Sequence, residues 1–427
     1  MDLRYKLRSA LRPAARPPAA APSPLGPGVP HGPGTLSPHL PVQCVETDRG
    51  PVYLSEERWP LDYRHGRLSL GDALSLDRSA MSRLVSGLTA VDLAHAAFVD
   101  VETTGLAGGT GTYAFLVGIG TFEDRSFHLR QFFLAHLSGE AAMLAAVSRV
   151  LGGSQVIISF NGRRFDLPLL ETRFTLSRLP LTWLDLPHLD LLYPARRLYR
   201  QRLSSCRLAV LEEALLGVQR EDDLPGWAVP AVYFDYVRVG SAETLPTVFR
   251  HNSLDILSLV ALLGHVGRLA GEEPPADPGD CLALARWDEL EGRLKGAMRL
   301  YERALQGSLD ENERSVAVRR LACLYRRLGR WNDQVRILRA DIRSDRTSRA
   351  TPEVLVELAK LEEHRHRDYA SAEALTRRAL TIVQAMDLRG RMPKMASLQR
   401  EALEHRLRRL RRRVRATQAI SRTHMAH

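Results

Sequence analysis

Two acidic residues at the end of an apolar run are the first feature of this sequence that could carry chemistry. The run is FVDVETTGL at residues 98–106, in which Asp100 and Glu102 are two positions apart. In a strand the side chains alternate, so Asp100 and Glu102 leave the same face while Val101 leaves the other. Two carboxylates held side by side repel each other. Either solvent screens them or a cation lies between them.

Three more residues extend this pair. Asp166 lies in NGRRFDLPLL, directly after the strand-like run QVIISF and at the beginning of a predicted helix, and HNSLD places His251 and Asp255 four residues apart on one helix face. Two divalent cations held about 3.5 to 4 Å apart need hard oxygen ligands, which paired Asp and Glu supply. One cation activates a water and the other stabilises the leaving oxygen, and an imidazole, which titrates at about pH 6.5, accepts the water's proton. The set fits a two-metal nuclease.

Each of these residues also has a plain structural explanation. His251 could cap a helix or fill the core, and Asp166 could be a first-turn acid favoured by the helix dipole. Asp190 in HLDLL is either a further site acid or a strand end, and we favour the strand end. The acidic pair in EDDLPGW, Asp222 and Asp223, is predicted to be part of a loop.

The elements that must position these residues follow from the pattern after residue 96. AAFVDVET, YAFLVGIGTF and SFHLRQFFL are three strand-like runs, followed by a helix pattern at 139–151, the strand QVIISF, a helix at 165–177 and a strand near HLDLL. The remainder, to about residue 270, has a helical pattern. This order predicts an α/β fold, a mixed sheet of the ribonuclease-H-like type flanked by helices.

Composition and repetition divide the rest of the chain. A hairpin pattern surrounds DRGP, and short helices are predicted at 70–94. AMRLYERAL from Ala297, QVRILRADI from Gln334 and AEALTRRAL from Ala372 recur with offsets of 37 and 38 residues, which predicts an all-α tetratricopeptide-like region, although the usual period is about 34. The predicted segments are a disordered Pro/Ala-rich leader (1–41), an accessory segment (42–95), a ribonuclease-H-like exonuclease domain (96–270), a linker (271–280), the tetratricopeptide-like helical region (281–415) and a tail (416–427).

The motifs DVETTG, NGRRFD and HNSLD occur in this order, and with them the chain resembles the exonucleases of the DEDD superfamily and, within it, the bacterial YprB-like exonucleases. The resemblance implies a ribonuclease-H-like fold and a metal-dependent exonuclease that acts from the 3′ end with two divalent cations, Mg²⁺ or Mn²⁺. It implies Asp100, Glu102, Asp166 and Asp255 as metal ligands and His251 as general base. The histidine subclass usually has four residues between His and Asp and the tyrosine subclass three, so this chain has a histidine at the tyrosine spacing.

Five further residues are predicted to contact the substrate. Thr103, Thr104 and Gly105 are implied by the resemblance, Asn161 either pins a turn or approaches the substrate, and Tyr113 either stacks on a base or packs within its strand. GLAGGTGTY looks like a phosphate loop, but it lacks the Gly-Lys-Ser/Thr ending and leads into a strand. The sequence therefore does not predict nucleotide binding there.

The composition of the chain bears on the class of protein and on its cellular location. An apolar content of 44% suits a protein with a sizeable core, and no apolar run approaches the roughly 20 residues that a membrane helix needs, so we expect no membrane partner. The basic N-terminal residues lead into prolines rather than an apolar block, and the four cysteines lie far apart. We therefore predict no export, no disulfide framework and a cytoplasmic location.

The net charge of +11 favours a polyanionic partner, but it is concentrated after residue 270, where 33 basic and 23 acidic residues leave a surplus of 10. The basic run at 406–415 is either a nucleic-acid clamp or a solvated helix.

We expect a nucleic-acid 3′ end as substrate, DNA more than RNA. The resemblance suggests DNA repair and a protein partner of the helical repeats, such as a helicase. The alternative is a non-catalytic scaffold that binds a nucleic-acid end and recruits proteins through its repeats.

Overall fold

A computed structural model of the chain describes residues 40–84, 91–105, 110–271, 275–344, 352–388 and 393–425. All but the last two residues of the predicted leader (1–41) lie outside the described residues.

A seven-stranded mixed sheet is the frame of the first half of the chain. The strands of the described residues are β1 (Gln43–Thr47), β2 (Gly50–Pro60), β3 (Arg64–His65), β4 (Leu68–Ser69), β5 (Ala96–Thr103), β6 (Ala114–Glu123), β7 (Ser126–Phe133), β8 (Val156–Ser159) and β9 (His188–Asp190). All but β3 and β4 belong to this sheet, in the order β1-β2-β7-β6-β5-β8-β9, with β5, β8 and β9 parallel to one another and the other neighbours antiparallel. The fold class predicted from the sequence is confirmed, as are its three adjacent strands β5 to β7.

The accessory segment extends this sheet. β1 and β2 form the predicted hairpin, and β2 continues along β7 in a register that runs from Tyr53 opposite Phe133 to Pro60 opposite Ser126. The remaining short strands, β3 and β4, pair only with each other, and His65 Nε2 lies 2.7 Å from the hydroxyl of Ser258. The accessory segment is therefore built into the main sheet and its core.

Helices cover both faces of the sheet and then continue alone. They are α1 (Arg78–Leu84), α2 (Glu140–Gly152), α3 (Asp166–Leu176), α4 (Leu192–Tyr199), α5 (Leu208–Leu211), α6 (Val229–Val239), α7 (Leu245–Ala270), α8 (Pro278–Leu290), α9 (Leu294–Gln306), α10 (Glu311–Arg327), α11 (Trp331–Ser344), α12 (Pro352–Leu361), α13 (Tyr369–Leu388) and α14 (Pro393–Met425).

The long helix α7 crosses the middle of the sheet and is buried along most of its length. Glycines of β6 make this close approach possible, because a Cβ on Gly118 would lie 2.1 Å from Oδ1 of Asn252 and 2.5 Å from Cδ1 of Ile256. By length and composition alone α7 is apolar enough to cross a membrane, which the sequence prediction did not anticipate. Burial within the protein accounts for that composition, since 72% of its most apolar window is buried.

Side chains alternate along β5, so that the strand contributes to two hydrophobic clusters, one on each face of the sheet. Phe98 packs in the same cluster as Ile256 of α7, whereas Val99 and Val101 pack in a second cluster with Leu170 of α3. The even-numbered positions of β5 therefore face α7, as the strand period requires. Asp100 and Glu102 leave the sheet on that face.

The C-terminal helices follow the predicted repeat. The three recurring segments fall on α9, α11 and α13, each the second helix of a pair, and α14 packs on α13. Part of the basic run is used inside this array, because Arg406 and Arg409 both donate to the buried carboxylate of Glu363. Part of the basic run is therefore bound to an internal carboxylate.

Candidate active site

Asp100 and Glu102 stand at the carboxyl end of β5, where the ladder with β6 ends. Asp100 lies opposite Gly118 in the register, and the pairing shifts between Glu102 and Thr103. Such an irregularity redirects a strand and is frequent beside active sites. Both carboxylates are partly buried, whereas Val101 on the other face is fully packed.

Helix α7 brings His251 and Asp255 to this strand end. Nε2 of His251 lies 3.8 Å from Oδ2 of Asp255, the result of their shared helix face. Between them in sequence, Asn252 donates from Nδ2 to Oδ2 of Asp100 at 2.7 Å, and its own Oδ1 accepts from Gln131 at 2.9 Å. Asn252 therefore fixes the orientation of Asp100. The contact between these two residues was not predicted from the sequence.

Asp166 enters the cluster as the first residue of α3, directly after a loop. Asp190 shapes this loop, because its carboxylate accepts from the backbone N–H groups of Asn161 at 2.7 Å and Arg163 at 3.2 Å. Asn161 has a left-handed backbone (φ 65°), and a Cβ on Gly162 would lie 3.0 Å from Oδ2 of Asp166. Asp190 thus does more than end a strand: it holds the turn that presents Asp166.

Burial and mutual repulsion make the ionised cluster costly. Burial raises the pKa of Asp100 well above its usual range, and the carboxylates of Asp255 and Asp166 raise it further. Burial and then the charge of Asp100 do the same to the pKa of Glu102. Burial and neighbouring acids raise the pKa of Asp166 to about 7, and burial also raises the pKa of Asp255. Without a cation these groups retain protons that an exposed carboxylate would release.

Asp223 and Arg220 complete the surroundings of His251. Asp223 lies with its carboxylate oxygens 2.9 and 3.0 Å from Nδ1 of His251. Arg220 donates to Asp223 at 2.9 Å, to Glu212 at 2.8 Å, and also to Asp255. Asp223 lies in a loop, as predicted, but its contact with His251 was not predicted. The local pattern held no periodicity that could have indicated its partner.

Three of the residues predicted to contact the substrate, Thr103, Thr104 and Tyr113, lie near the end of β5 and contact other residues of the chain. Thr103 Oγ1 donates to the backbone oxygen of Gly105 at 2.9 Å, and Thr104 Oγ1 accepts from the N–H of Tyr113 at 2.9 Å. The ring of Tyr113 faces the guanidinium of Arg173, 3.9 Å from the ring centroid. These hydroxyls hold the turn, and Arg173 stacks on the ring.

The donor set fits hard divalent cations. Glu102, His251 and Asp255 each offer one ligand atom, and these atoms lie within 4.8 Å of one another. Two of the four acids lie at a strand end and two on helices, and carboxylate oxygens are the ligands that Mg²⁺ and Mn²⁺ prefer. Burial and mutual repulsion raise the pKa values of Asp100 and Glu102, and a bound cation would relieve this repulsion. Asp100, Glu102, Asp166 and Asp255 are therefore the residues that could hold it.

Comparison with known proteins agrees with the fold described above. Residues 97–266 match the sequence model of the RNase_H superfamily, and residues 282–380 match that of the tetratrico peptide repeat. The chain thus carries a ribonuclease-H-like domain followed by tetratricopeptide repeats. It is also similar to the "Uncharacterized protein YprB" of Bacillus subtilis (strain 168), with 29% identity over 336 residues that cover 77% of this chain and 80% of that protein. The name of that relative states no activity.

Proposed function

We propose that this protein is a metal-dependent 3′–5′ exonuclease that hydrolyses phosphodiester bonds of nucleic acid, with DNA preferred over RNA. The observation that carries the proposal is the convergence of four carboxylates with raised pKa values and one histidine at the carboxyl end of β5. The ribonuclease-H-like domain fits nucleic-acid hydrolysis. The direction of digestion and the preference for DNA rest on the likeness of the three motifs to DEDD exonucleases.

The chain's own residues divide the work of the reaction. Asp100, Glu102, Asp166 and Asp255 would hold two divalent cations, Mg²⁺ or Mn²⁺. When bound, such cations lower the pKa of a water and neutralise charge on the phosphate and the leaving oxygen. Asn252 keeps Asp100 in its ligating orientation through the 2.7 Å hydrogen bond. Thr103 and Thr104 form the turn beside this cluster, where we propose that the scissile phosphate binds.

His251 serves as the general base. Its Nε2 lies 3.8 Å from Oδ2 of Asp255, and in this proposal the attacking water lies on the same side. A neutral imidazole there accepts the water's proton as the oxygen attacks phosphorus, and the 3′ oxygen of the penultimate nucleotide leaves. Positioned general bases contribute about 10² to 10⁴ in rate.

Digestion of labelled nucleic acids tests the proposal. Single- and double-stranded DNA and matched RNA, labelled at the 5′ end, are incubated with Mn²⁺, with Mg²⁺ or with EDTA. The expected result is a metal-dependent ladder that shortens from the 3′ end, fastest on DNA, and that Asp166→Asn and Asp255→Ala abolish while the circular dichroism spectrum is unchanged. Retained cleavage by both variants contradicts the site assignment. Binding without cleavage in every condition supports the scaffold instead.

The repeats are the proposed docking region for a protein partner, in line with the general role of such arrays. We propose a helicase as this partner, a cytoplasmic location and a role in DNA repair, which rest on the family likeness alone. Purification of the tagged full chain from its own cells, beside a version lacking residues 281–415, tests them together. The proposal expects a helicase that co-purifies only with the full chain. Co-purification with both versions, or of no helicase, contradicts it.

A further inference from the structure

The two ring nitrogens of His251 have different surroundings. Nδ1 lies 2.9 and 3.0 Å from the carboxylate oxygens of Asp223, whereas Nε2 lies 3.8 Å from Oδ2 of Asp255. Nη1 of Arg220, which can only donate, is farther from Nδ1, at 3.5 Å. A carboxylate only accepts hydrogen bonds, so the closer contact with Asp223 places the proton on Nδ1. In the neutral ring Nε2 is then unprotonated, with its lone pair on the side of the acidic cluster.

Asp223 is itself held in place on a second side. Arg220 donates from Nη1 to Oδ2 of Asp223 at 2.9 Å and from Nε and Nη2 to both carboxylate oxygens of Glu212 at 2.8 and 2.5 Å. The side chain of Glu212 is 1% exposed and that of Arg220 is 11% exposed. A planar guanidinium held on a buried carboxylate is a rigid support. The loop around Asp223 is thereby fixed against α7.

We infer that Asp223 is a positioning residue that fixes both the tautomer and the ring plane of His251, with Arg220 as its anchor. A histidine free to rotate or to carry its proton on Nε2 would present a donor to the attacking water instead of an acceptor. The inference deepens the proposed function and rests on it for its effect on rate, because His251 acts as a base only if the cluster performs hydrolysis. The tautomer itself is a property of the folded chain and does not depend on activity.

A merely structural role for Asp223 would make different predictions. If its carboxylate served only to neutralise Arg220, its loss would lower stability and leave the histidine tautomer and kcat of the folded protein unchanged. Asp223→Asn keeps the size of the side chain but removes the charge that selects the Nδ1 proton. The neighbouring Asp222, which is exposed and in the same loop, offers a matched control in Asp222→Asn.

The first readout is the ¹⁵N spectrum of the histidine side chains in the full chain, recorded without metal at about pH 8. The signals of His251 are those absent from His251→Gln. The inference expects the Nδ1-protonated tautomer in the natural protein and in Asp222→Asn, and a shift towards the Nε2-protonated tautomer in Asp223→Asn. An Nε2-protonated His251 in the natural protein overturns it.

The second readout is kinetic. Asp223→Asn is expected to lower kcat by about 10- to 100-fold, within the range of a general base's contribution, with KM changed less than about twofold, since Asp223 does not touch the cation ligands' oxygens. Asp222→Asn should keep the natural kcat. An unchanged kcat in folded Asp223→Asn overturns the inference. If the natural protein cleaves no nucleic acid, the proposed function fails, and the ¹⁵N spectrum alone then decides for or against the role of Asp223.

Discussion

Replacing one candidate metal ligand should make the metal-free protein more stable while making it inactive. Burial and neighbouring acids raise the pKa of Asp166 from its ordinary 3.8 to about 7. This shift is about three pKa units, each worth about 1.4 kcal/mol, so the ionised carboxylate costs the folded state about 4 kcal/mol. Asp166→Asn has nearly the same shape and carries no charge. We therefore expect the variant to gain up to about 4 kcal/mol in free energy of unfolding at about pH 8.

The sign follows from proton binding. Between the two pKa values the folded state keeps the proton of Asp166 and the unfolded state has lost it, so the natural protein loses stability as the pH rises from about 4 to about 7. Asp166→Asn lacks this loss. Its advantage should therefore be complete above about pH 7 and fall by more than half at about pH 5.

Urea unfolding of both proteins in EDTA, followed by circular dichroism at about pH 5 and pH 8, measures the difference. Asp222→Asn is the control and should stay within about 0.5 kcal/mol of the natural protein, because its side chain is exposed. No gain at the higher pH refutes the electrostatic reasoning. A gain of equal size at both pH values would mean that packing, and not charge, is responsible.

Three further outcomes are expected. Mn²⁺ at 100 times its dissociation constant should stabilise the natural protein by about 2.7 kcal/mol in the same urea assay; no stabilisation by Mn²⁺ or Mg²⁺ would contradict the metal assignment. Gly118→Ala should cost about 1 to 3 kcal/mol and weaken Mn²⁺ binding measured by calorimetry, because the new Cβ meets the Asn252 side chain at 2.1 Å; natural affinity would speak against that contact. Arg173→Ala should cost about 3 to 5 kcal/mol because it leaves Glu140 buried without its cation, whereas Arg149→Ala, 63% exposed, should change stability by less than about 1 kcal/mol. Equal effects of the two arginine variants would refute the role of burial.

The strands and the acidic cluster were accessible from the sequence because the signals are local. Alternation and apolar runs mark β5, β6 and β7, and Asp100 and Glu102 share a face by the period of the strand alone. His251 and Asp255 share a face by the period of the helix. That the acidic pair of β5 and the His–Asp pair of α7 form one site was predicted from the order of elements and from the resemblance of the motifs.

The residues that hold the cluster were not accessible, because their partners are distant in sequence. Asn252 contacts Asp100 across 152 positions, and Asp223 contacts His251 across 28. No pattern around Asp223 distinguishes it from its exposed neighbour Asp222. The role of such residues depends on which side chains the fold brings opposite them, which periodicity does not report.

The extension of the sheet escaped prediction for the same reason. The hairpin of β1 and β2 has a local turn signal, but its pairing with β7 joins residues more than 60 positions apart, such as Trp59 and Phe127. Pairing between distant strands depends on the faces and edges left free by the rest of the fold. The accessory segment therefore looked separate in the sequence and is part of the sheet in the structure.

The most direct test of the metal assignment is the anomalous diffraction of Mn²⁺ in crystals of the full chain. The account predicts Mn²⁺ at the carboxyl end of β5, within about 2.3 Å of oxygens of Asp100, Glu102 and Asp255, and no such ion in crystals of Asp100→Asn. Full-occupancy Mn²⁺ elsewhere with none at these carboxylates, or an unchanged ion in the variant, would contradict it.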